Sequence, residues 1–359
     1  MNCYKSLMSE VISLAKKGRG LTSPNPLVGS IIYNEDSQKV EGRGFHVFSG
    51  GPHAEVNAVQ DALLNHGSVE GRTLLTNLEP CCHRDKKTPP CTELIIKHKI
   101  KKVVIGALDP NIEVSGNGVD YLKENGVEVI QDVLNDECIS LNEIYNHTQR
   151  LKRPFIGVKI ASSLDGKVSL TSGESKYITC PESRDAVHDL RYFYDAVMVG
   201  VGTIIKDDPI LNIRRGQFKE HRKSLNTIIV GRLSGFEYES YRIFNSENRI
   251  IFLNNGVDVK TSEYPFKVFN CSDNLPGALR ELIDKGIFSI LVEPGPKLLK
   301  NLIDINHCDK FYIHQSTSFI GKGRSYSDQI EIKNLSDSLK FDVKDLKLVG
   351  RDIHIEGYI

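Results

Sequence analysis

Tryptophan is absent from all 359 residues, and neither sign of charge is in excess: 46 lysines and arginines stand against 46 aspartates and glutamates, for a formal net charge of zero. A protein that grips nucleic acid through phosphates ordinarily carries a basic surplus, so this balance points away from polynucleotide and toward a small substrate. No apolar run is long enough to span a bilayer, and the opening MNCYKSLMSEVISLAKKG lacks the apolar centre of a signal segment. Those absences lead us to expect a cytoplasmic protein with no membrane attachment. In that reducing compartment the eight cysteines are not expected to form disulfides. Residues 151–359 contain no G-x-G-x-x-G, which removes the support for a Rossmann domain. Internal repeats and low-complexity stretches are also missing.

What remains is a length that exceeds one ordinary hydrophobic core, so two domains are expected. Hydrophobic periodicity in the first half predicts a helix over 4–17, strands over 27–33 and 40–45, and a helix from residue 53. A strand over 73–77, a short helix after Pro90 and a strand over 102–107 follow. A helix over 117–125, a strand over 127–130 and a helix over 134–149 complete this half. The charged stretch 149–154, ending in Pro154, reads as a joint, which divides the chain into 1–148 and 149–359. Beyond it the pattern predicts strands over 155–161, 196–200, 227–230, 249–253 and 289–293. Helices fit 181–193, 275–284 and 296–303, and the tail reads as β over 311–313, 346–349 and 353–355. Such alternation implies α/β sheets with helices packed on them.

Cys81, Cys82 and Cys91 fall within eleven residues, whereas Cys3, Cys138, Cys180, Cys271 and Cys308 are scattered and read as inert thiols. His53-Ala54-Glu55 follows Gly50-Gly51-Pro52, which places His53 and Glu55 at a helix start. Glu79-Pro80-Cys81 follows a strand, and Thr88-Pro89-Pro90-Cys91 comes after it. Zinc favours imidazole and thiolate in a tetrahedral site, and a catalytic zinc keeps one position for water. His53, Cys81 and Cys91 supply three ligands, and zinc acidifies the water on the fourth. Glu55, off the metal, suits proton transfer between that water and departing ammonia. The H-x-E and P-C pairs match the zinc-deaminase signature, although nine residues separate Cys81 from Cys91 where that signature has two. The alternative is a structural zinc closed by Cys82 or His83, for which Glu55 would be surplus.

With Pro24-Asn25-Pro26-Leu27-Val28-Gly29, Gly42-Arg43-Gly44-Phe45-His46 and Asp109-Pro110-Asn111 added, the chain resembles the bifunctional riboflavin-biosynthesis deaminase/reductase family from about residue 5 to its end. The resemblance implies an N-terminal cytidine-deaminase-like three-layer domain and a C-terminal dihydrofolate-reductase-like domain. It implies Zn2+ in the first, with Asn25, His46, His83 and Asp109 around an aminopyrimidine and its ribose. One extra residue between Arg84 and Lys87, and Cys82 in place of the usual serine, leave open whether Lys86 or Lys87 faces the substrate.

In the second half Lys159-Ile-Ala-Ser-Ser-Leu-Asp-Gly-Lys167 is similar to the opening of that family's reductase. Residues 172–179, 195–203, 207–214 and 292–296 continue the likeness. It implies NADPH as cofactor, with Ala161, Tyr177, Thr179, Thr203 and Gly295 against it. Lys159, Ser175, Arg191, Asp207, Leu211, Arg214 and Glu293 would hold the phosphorylated pyrimidine, with Arg191 and Arg214 suited to phosphate by their fork of donors. Tyr177 stands where tryptophan is common, Gly231 where relatives carry aspartate, and Pro294 where glycine is frequent. The expected reactions are hydrolytic deamination of 2,5-diamino-6-ribosylamino-4(3H)-pyrimidinone 5′-phosphate, then NADPH-dependent reduction of its ribosyl chain to ribityl. A homo-oligomer is the family expectation. Two rivals are an enzyme that retains one activity and a zinc-stabilised RNA-binding protein.

Overall fold

The computed structural model describes residues 2–82, 89–111, 115–221, 224–272 and 274–359. The chain divides into two compact units, Met1–Lys152 and Arg153–Ile359. This division lies within the charged stretch 149–154, a few residues past the expected bound at 148/149, because a helix, Glu143–Leu151, runs on to there. Among the described residues no helix is long and apolar enough to cross a membrane.

The first unit runs α1 (Asn2–Ala15), β1 (Gly29–Asn34), β2 (Lys39–Phe45), α2 (Ala54–His66), β3 (Thr73–Leu78) and α3 (Cys91–Lys97). It continues with β4 (Lys102–Ala107), α4 (Asn117–Glu124), β5 (Glu128–Ile130), α5 (Asn135–Leu141) and α6 (Glu143–Leu151). The sheet order is β2-β1-β3-β4-β5, with β1 antiparallel to both neighbours and β3, β4 and β5 parallel. Alternate strand residues face opposite layers. Ile32, Leu74, Val103 and Ile105 pack with α2, α3 and α4 residues such as Ala58, Ile95 and Leu122. Ile31, Leu75 and Val104 pack instead with Met8, Val11 and Cys138. This is the expected three-layer arrangement, and each such buried side chain contributes about 1.5–3 kcal/mol.

Close approach sets where α2 begins. A Cβ on Gly42 would come 2.3 Å from the Ala58 carbonyl oxygen, and one on Gly44 would come 2.3 Å from the Ala58 nitrogen. Only glycine lets β2 lie that near the helix. The single helix expected over 134–149 is a correction: it breaks at Asn142 (φ −103°, ψ 27°), between α5 and α6.

The second unit runs β6 (Phe155–Ser162), β7 (Lys167–Leu170), α7 (Pro181–Phe193), β8 (Ala196–Gly200), α8 (Val201–Asp207) and β9 (Asn226–Gly231). Then come β10 (Arg249–Asn254), β11 (Lys267–Asn270), α9 (Leu275–Glu281), β12 (Ser289–Val292) and α10 (Pro296–Asp304). Strands β13 (Lys310–Gln315), β14 (Gly323–Ser325), β15 (Asp342–Val349) and β16 (Asp352–Tyr358) close it. Among the described residues nine strands form one sheet, β11-β10-β9-β8-β12-β6-β13-β16-β15, while β14 and β7 form a separate ribbon. Strands β11 to β13 run parallel, and β16 is antiparallel to β13 and β15. One face of the sheet packs Val158, Met198 and Ile228 against α9 and α10, and the other packs Val197, Val199 and Phe252 with Ile204 and Ile243. Both units are α/β, as the alternation led us to expect.

Strands β7, β11 and β14 and helix α8 were not legible in the periodicity, being short and in part polar. Lys159 is the fifth residue of β6, with its side chain largely buried.

Candidate active sites

Two helix starts face each other in the first unit. His53 caps α2 in extended conformation, which leaves Glu55 in its first turn, and Cys91 is the first residue of α3. Cys81 arrives from the end of β3, its carbonyl accepting from the Thr92 N–H at 3.2 Å. The ligand atoms of His53, Cys81 and Cys91 lie within 4.8 Å of one another, the group of this kind found among the described residues. His53 Nδ1 is 3.3 Å from Cys91 Sγ and 3.6 Å from Cys81 Sγ. Tetrahedral zinc with ordinary Zn–N and Zn–S bonds separates such atoms by roughly 3.5 Å. Donor set and spacing therefore fit zinc, and the long interval between the cysteines is closed by folding.

The electrostatics suit the same reading. The hydrogen bond with Cys91, aided by His53, pulls the Cys81 thiol down to about 4 against the effect of burial. That same contact, together with burial and Glu55, pushes Cys91 well above the ordinary thiol range. Two helix N-termini add positive potential beside the thiols. Glu55 is fully enclosed at the edge of this cluster; burial raises its carboxyl, nearby Cys81 adds to the rise, and His53 opposes it. Cys82 is half-buried beside Cys81 and does not join the ligand group.

Around the cluster, Asn25 Nδ2 donates to His46 Nε2 at 3.0 Å, so His46 Nδ1 carries the proton and donates to the Pro52 carbonyl at 2.9 Å. Burial keeps that imidazole neutral by lowering its pKa. The segment after Asn25 is pinned by two buried asparagines. Asn77 accepts from the Gly29 N–H (2.8 Å) and donates to the Leu27 carbonyl (2.9 Å), while Asn142 accepts from the Leu27 N–H (2.7 Å) and donates to its carbonyl (3.0 Å). Asp109 is buried beyond β4. Its backbone N–H donates to Glu79 Oε2 at 3.2 Å, and the Glu79 carboxylate also accepts from the N–H groups of Gly116, Gly118 and Val119. His83, Lys86 and Lys87 lie outside the described residues.

In the second unit a largely buried carboxylate joins two cations. Glu293, directly after β12, accepts from Arg191 Nε on α7 at 2.7 Å and pairs with Lys159 Nζ on β6 at 3.2 Å. Burial by itself raises that carboxyl, but Arg191 and Lys159 outweigh it and hold it well below the usual carboxylate range. Arg191 Nη1 also donates to the Asn212 carbonyl at 3.1 Å, and His188 Nδ1 accepts the Arg214 N–H at 3.4 Å. Helix α7 thus fixes the turn that starts at Leu211, a buried residue at φ +57° where a leucine is strained. Of the two arginines expected at phosphate, Arg191 is enclosed with Glu293, whereas Arg214 exposes its guanidinium and bonds to Asn212 Oδ1. Ser175 Oγ meets Asp207 Oδ1 at 3.4 Å, bringing those two expected residues together.

The expected cofactor residues gather in part at strand ends. Neighbouring parallel strands β8 and β12 each turn at glycine into a helix, α8 after Gly200 and α10 after Gly295. A Cβ on Gly295 would have only Thr203 Oγ1, at 4.0 Å, as a neighbour within reach, and one on Gly202 would meet nothing. Free backbone N–H groups in an open cradle at the carboxyl ends of parallel strands suit the phosphates of a nucleotide. Ala161 lies near the end of β6, Thr179 is buried ahead of α7, and Tyr177 is exposed with the Arg184 guanidinium 4.1 Å from its ring centre. Gly231 closes β9 with a reason of its own: a side chain there would come 2.5 Å from Val201.

Sequence reasoning missed Asn77, Asn142, Tyr145 and His188. A buried amide in the apolar strand TLLTNL was a signal for Asn77, since such a group demands a partner.

Two family models match the chain: "Cytidine and deoxycytidylate deaminase zinc-binding region" over residues 1–107 and "RibD C-terminal domain" over residues 154–355. The riboflavin biosynthesis protein RibD of Aquifex aeolicus is 37% identical, covering 98% of this chain and 97% of that protein. The RibD protein of Escherichia coli is 29% identical, covering 98% of each. A solved diaminohydroxyphosphoribosylaminopyrimidine deaminase/5-amino-6-(5-phosphoribosylamino)uracil reductase from Thermotoga maritima superposes with a TM-score of 0.90 at 36% identity, covering 99% of both chains. RibD from Acinetobacter baumannii gives 0.86 at 28%.

Proposed function

The chain belongs to the RibD family of riboflavin-biosynthesis proteins, and from that premise we propose how its residues divide the work. It is a bifunctional deaminase and reductase. Residues 1–152 carry the deaminase and 153–359 the reductase, a partition supported by the two compact units and the two matched segments. The observation that carries the first assignment is the convergence of His53, Cys81 and Cys91 beside the enclosed Glu55.

His53, Cys81 and Cys91 hold zinc, which when bound supplies the Lewis acidity that makes water nucleophilic at neutral pH. Glu55 takes the proton of that water as the C–O bond forms, then returns it to the exocyclic nitrogen as the C–N bond breaks and ammonia leaves. Burial raises its carboxyl, which favours the protonated form that hands the proton on. Asn25 and Asp109 hold the pyrimidine and ribose, and neutral His46 orients Asn25.

When bound in the reductase, NADPH would supply the hydride that reduces the ribosyl chain. Thr203 and Gly295 receive the nucleotide, with Ala161, Thr179 and Tyr177 along it. Arg214 meets the substrate phosphate, and Lys159, held by Glu293, orients the sugar hydroxyls. Ser175, Asp207 and Leu211 border the same pocket. We place the enzyme in the cytoplasm as a homo-oligomer, on the expectation from its family.

Glu55→Gln tests the central assignment. The variant is expected to retain zinc, to lose ammonia release by several orders of magnitude, and to oxidise NADPH normally when given the deaminated intermediate. Ammonia release near the native rate would remove Glu55 from the chemistry.

A further inference from the structure

Helix α6 lies beyond residues 1–107, the segment that matches the zinc-binding deaminase region, and at the end of the first unit. It nevertheless reaches both segments that border the metal cluster. Just ahead of it Asn142 leaves helical geometry, and its amide forms both backbone hydrogen bonds to Leu27, two residues from Asn25. One turn on, the Tyr145 hydroxyl donates to the Asp109 carboxylate, 3.1 Å from Oδ1 and 3.3 Å from Oδ2. Burial, with the facing Asp109, raises the Tyr145 hydroxyl far above its ordinary pKa, so it stays a donor. The Asn111 N–H supplies a second donor to Oδ1 at 2.9 Å.

We propose that Tyr145 is a positioning residue of the deaminase: its hydroxyl fixes the Asp109 carboxylate in the orientation that receives a substrate hydroxyl. A carboxylate on a loop has two rotatable bonds, and freezing them before the ligand arrives removes an entropic cost of binding. The Glu79 carboxylate holds the same loop by its backbone, and Tyr145 joins the Asn111 N–H in fixing the side-chain torsions of Asp109. The helix that closes the first half of the chain thereby becomes part of the first site. This inference rests on the reading that Asp109 contacts substrate.

The test compares Tyr145→Phe, Asp109→Ala and the double variant in the full-length chain, with ammonia release and zinc content measured. Tyr145→Phe keeps the ring and its packing. It is expected to keep zinc and to raise KM for the phosphoribosyl diaminopyrimidine about tenfold, the size expected for one hydrogen bond to a charged group. Most of the loss should fall on KM rather than kcat. In the Asp109→Ala background the same change should cost nothing further, because the hydroxyl then has nothing to orient. An unchanged KM in Tyr145→Phe, with a raised KM in Asp109→Ala, would overturn the proposal and spare the reading beneath it. An equal penalty in both backgrounds would show a structural role and overturn it too. Native KM in Asp109→Ala would sink the reading itself and the proposal with it.

Discussion

Glu293 shows what one residue does in the second unit. Two cations, Arg191 and Lys159, meet its carboxylate in a largely buried setting. Each ion gives up hydration there, so the triad holds only while all charges are matched. Glu293→Ala leaves two cations facing each other and is expected to cost about 3 kcal/mol of stability. Urea unfolding checks this; a native midpoint would show that the cations do not need their partner. Deamination by the same variant should stay native below the unfolding range, because the first unit has its own core. Legibility at this scale followed chemical type. His53, Glu55, Cys81 and Cys91 could be read because each residue itself carries chemistry at a recognisable spacing. Asn142 and Tyr145 could not, since each acts through a partner, 115 and 36 positions away, that folding alone brings near; Asn77 announced only that it needed some partner.

Elements place those residues, and glycine at a contact decides how closely elements approach. Gly44 lies where β2 crosses α2, with the Ala54 carbonyl oxygen 2.4 Å from the site of an added Cβ. Gly44→Ala must push the start of α2 away, and with it His53 and Glu55. The expected result is a lower zinc affinity, by about tenfold or more, even where the variant folds. A competition titration with a chelator measures this, and native affinity would mean that β2 does not set the position of His53. Periodicity located α2, α7 and β4 well, because each is long or uniformly apolar on its buried side. It joined α5 to α6 because the amphipathic pattern runs through Asn142, whose break serves a hydrogen bond to Leu27 that no local rule encodes. Gly231 is a related case: the loss of a side chain at the end of β9 answers Val201 at the start of α8.

Over the whole chain, buried imidazoles tie stability to pH. Burial, aided by nearby cations, holds His188 and His354 down to about 4, and burial with the neighbouring His354 holds His314 well below the ordinary value. The unfolded chain takes up these protons near pH 6.5. Their contribution to stability is therefore complete above about pH 6.5 and falls as pH drops from there toward 4. Thermal unfolding of the second unit should shift to lower temperature between pH 7 and 5, and a flat profile would mean that these imidazoles protonate without unfolding. At this scale one polypeptide performs two reactions, deamination and then reduction. That order is tested by following ammonia release and NADPH oxidation together on zinc-loaded protein supplied with 2,5-diamino-6-ribosylamino-4(3H)-pyrimidinone 5′-phosphate. The account predicts that ammonia appears first and NADPH is consumed after a lag, with Glu55→Gln abolishing both until deaminated intermediate is added. NADPH consumption that precedes ammonia, or that survives in Glu55→Gln without added intermediate, would contradict it.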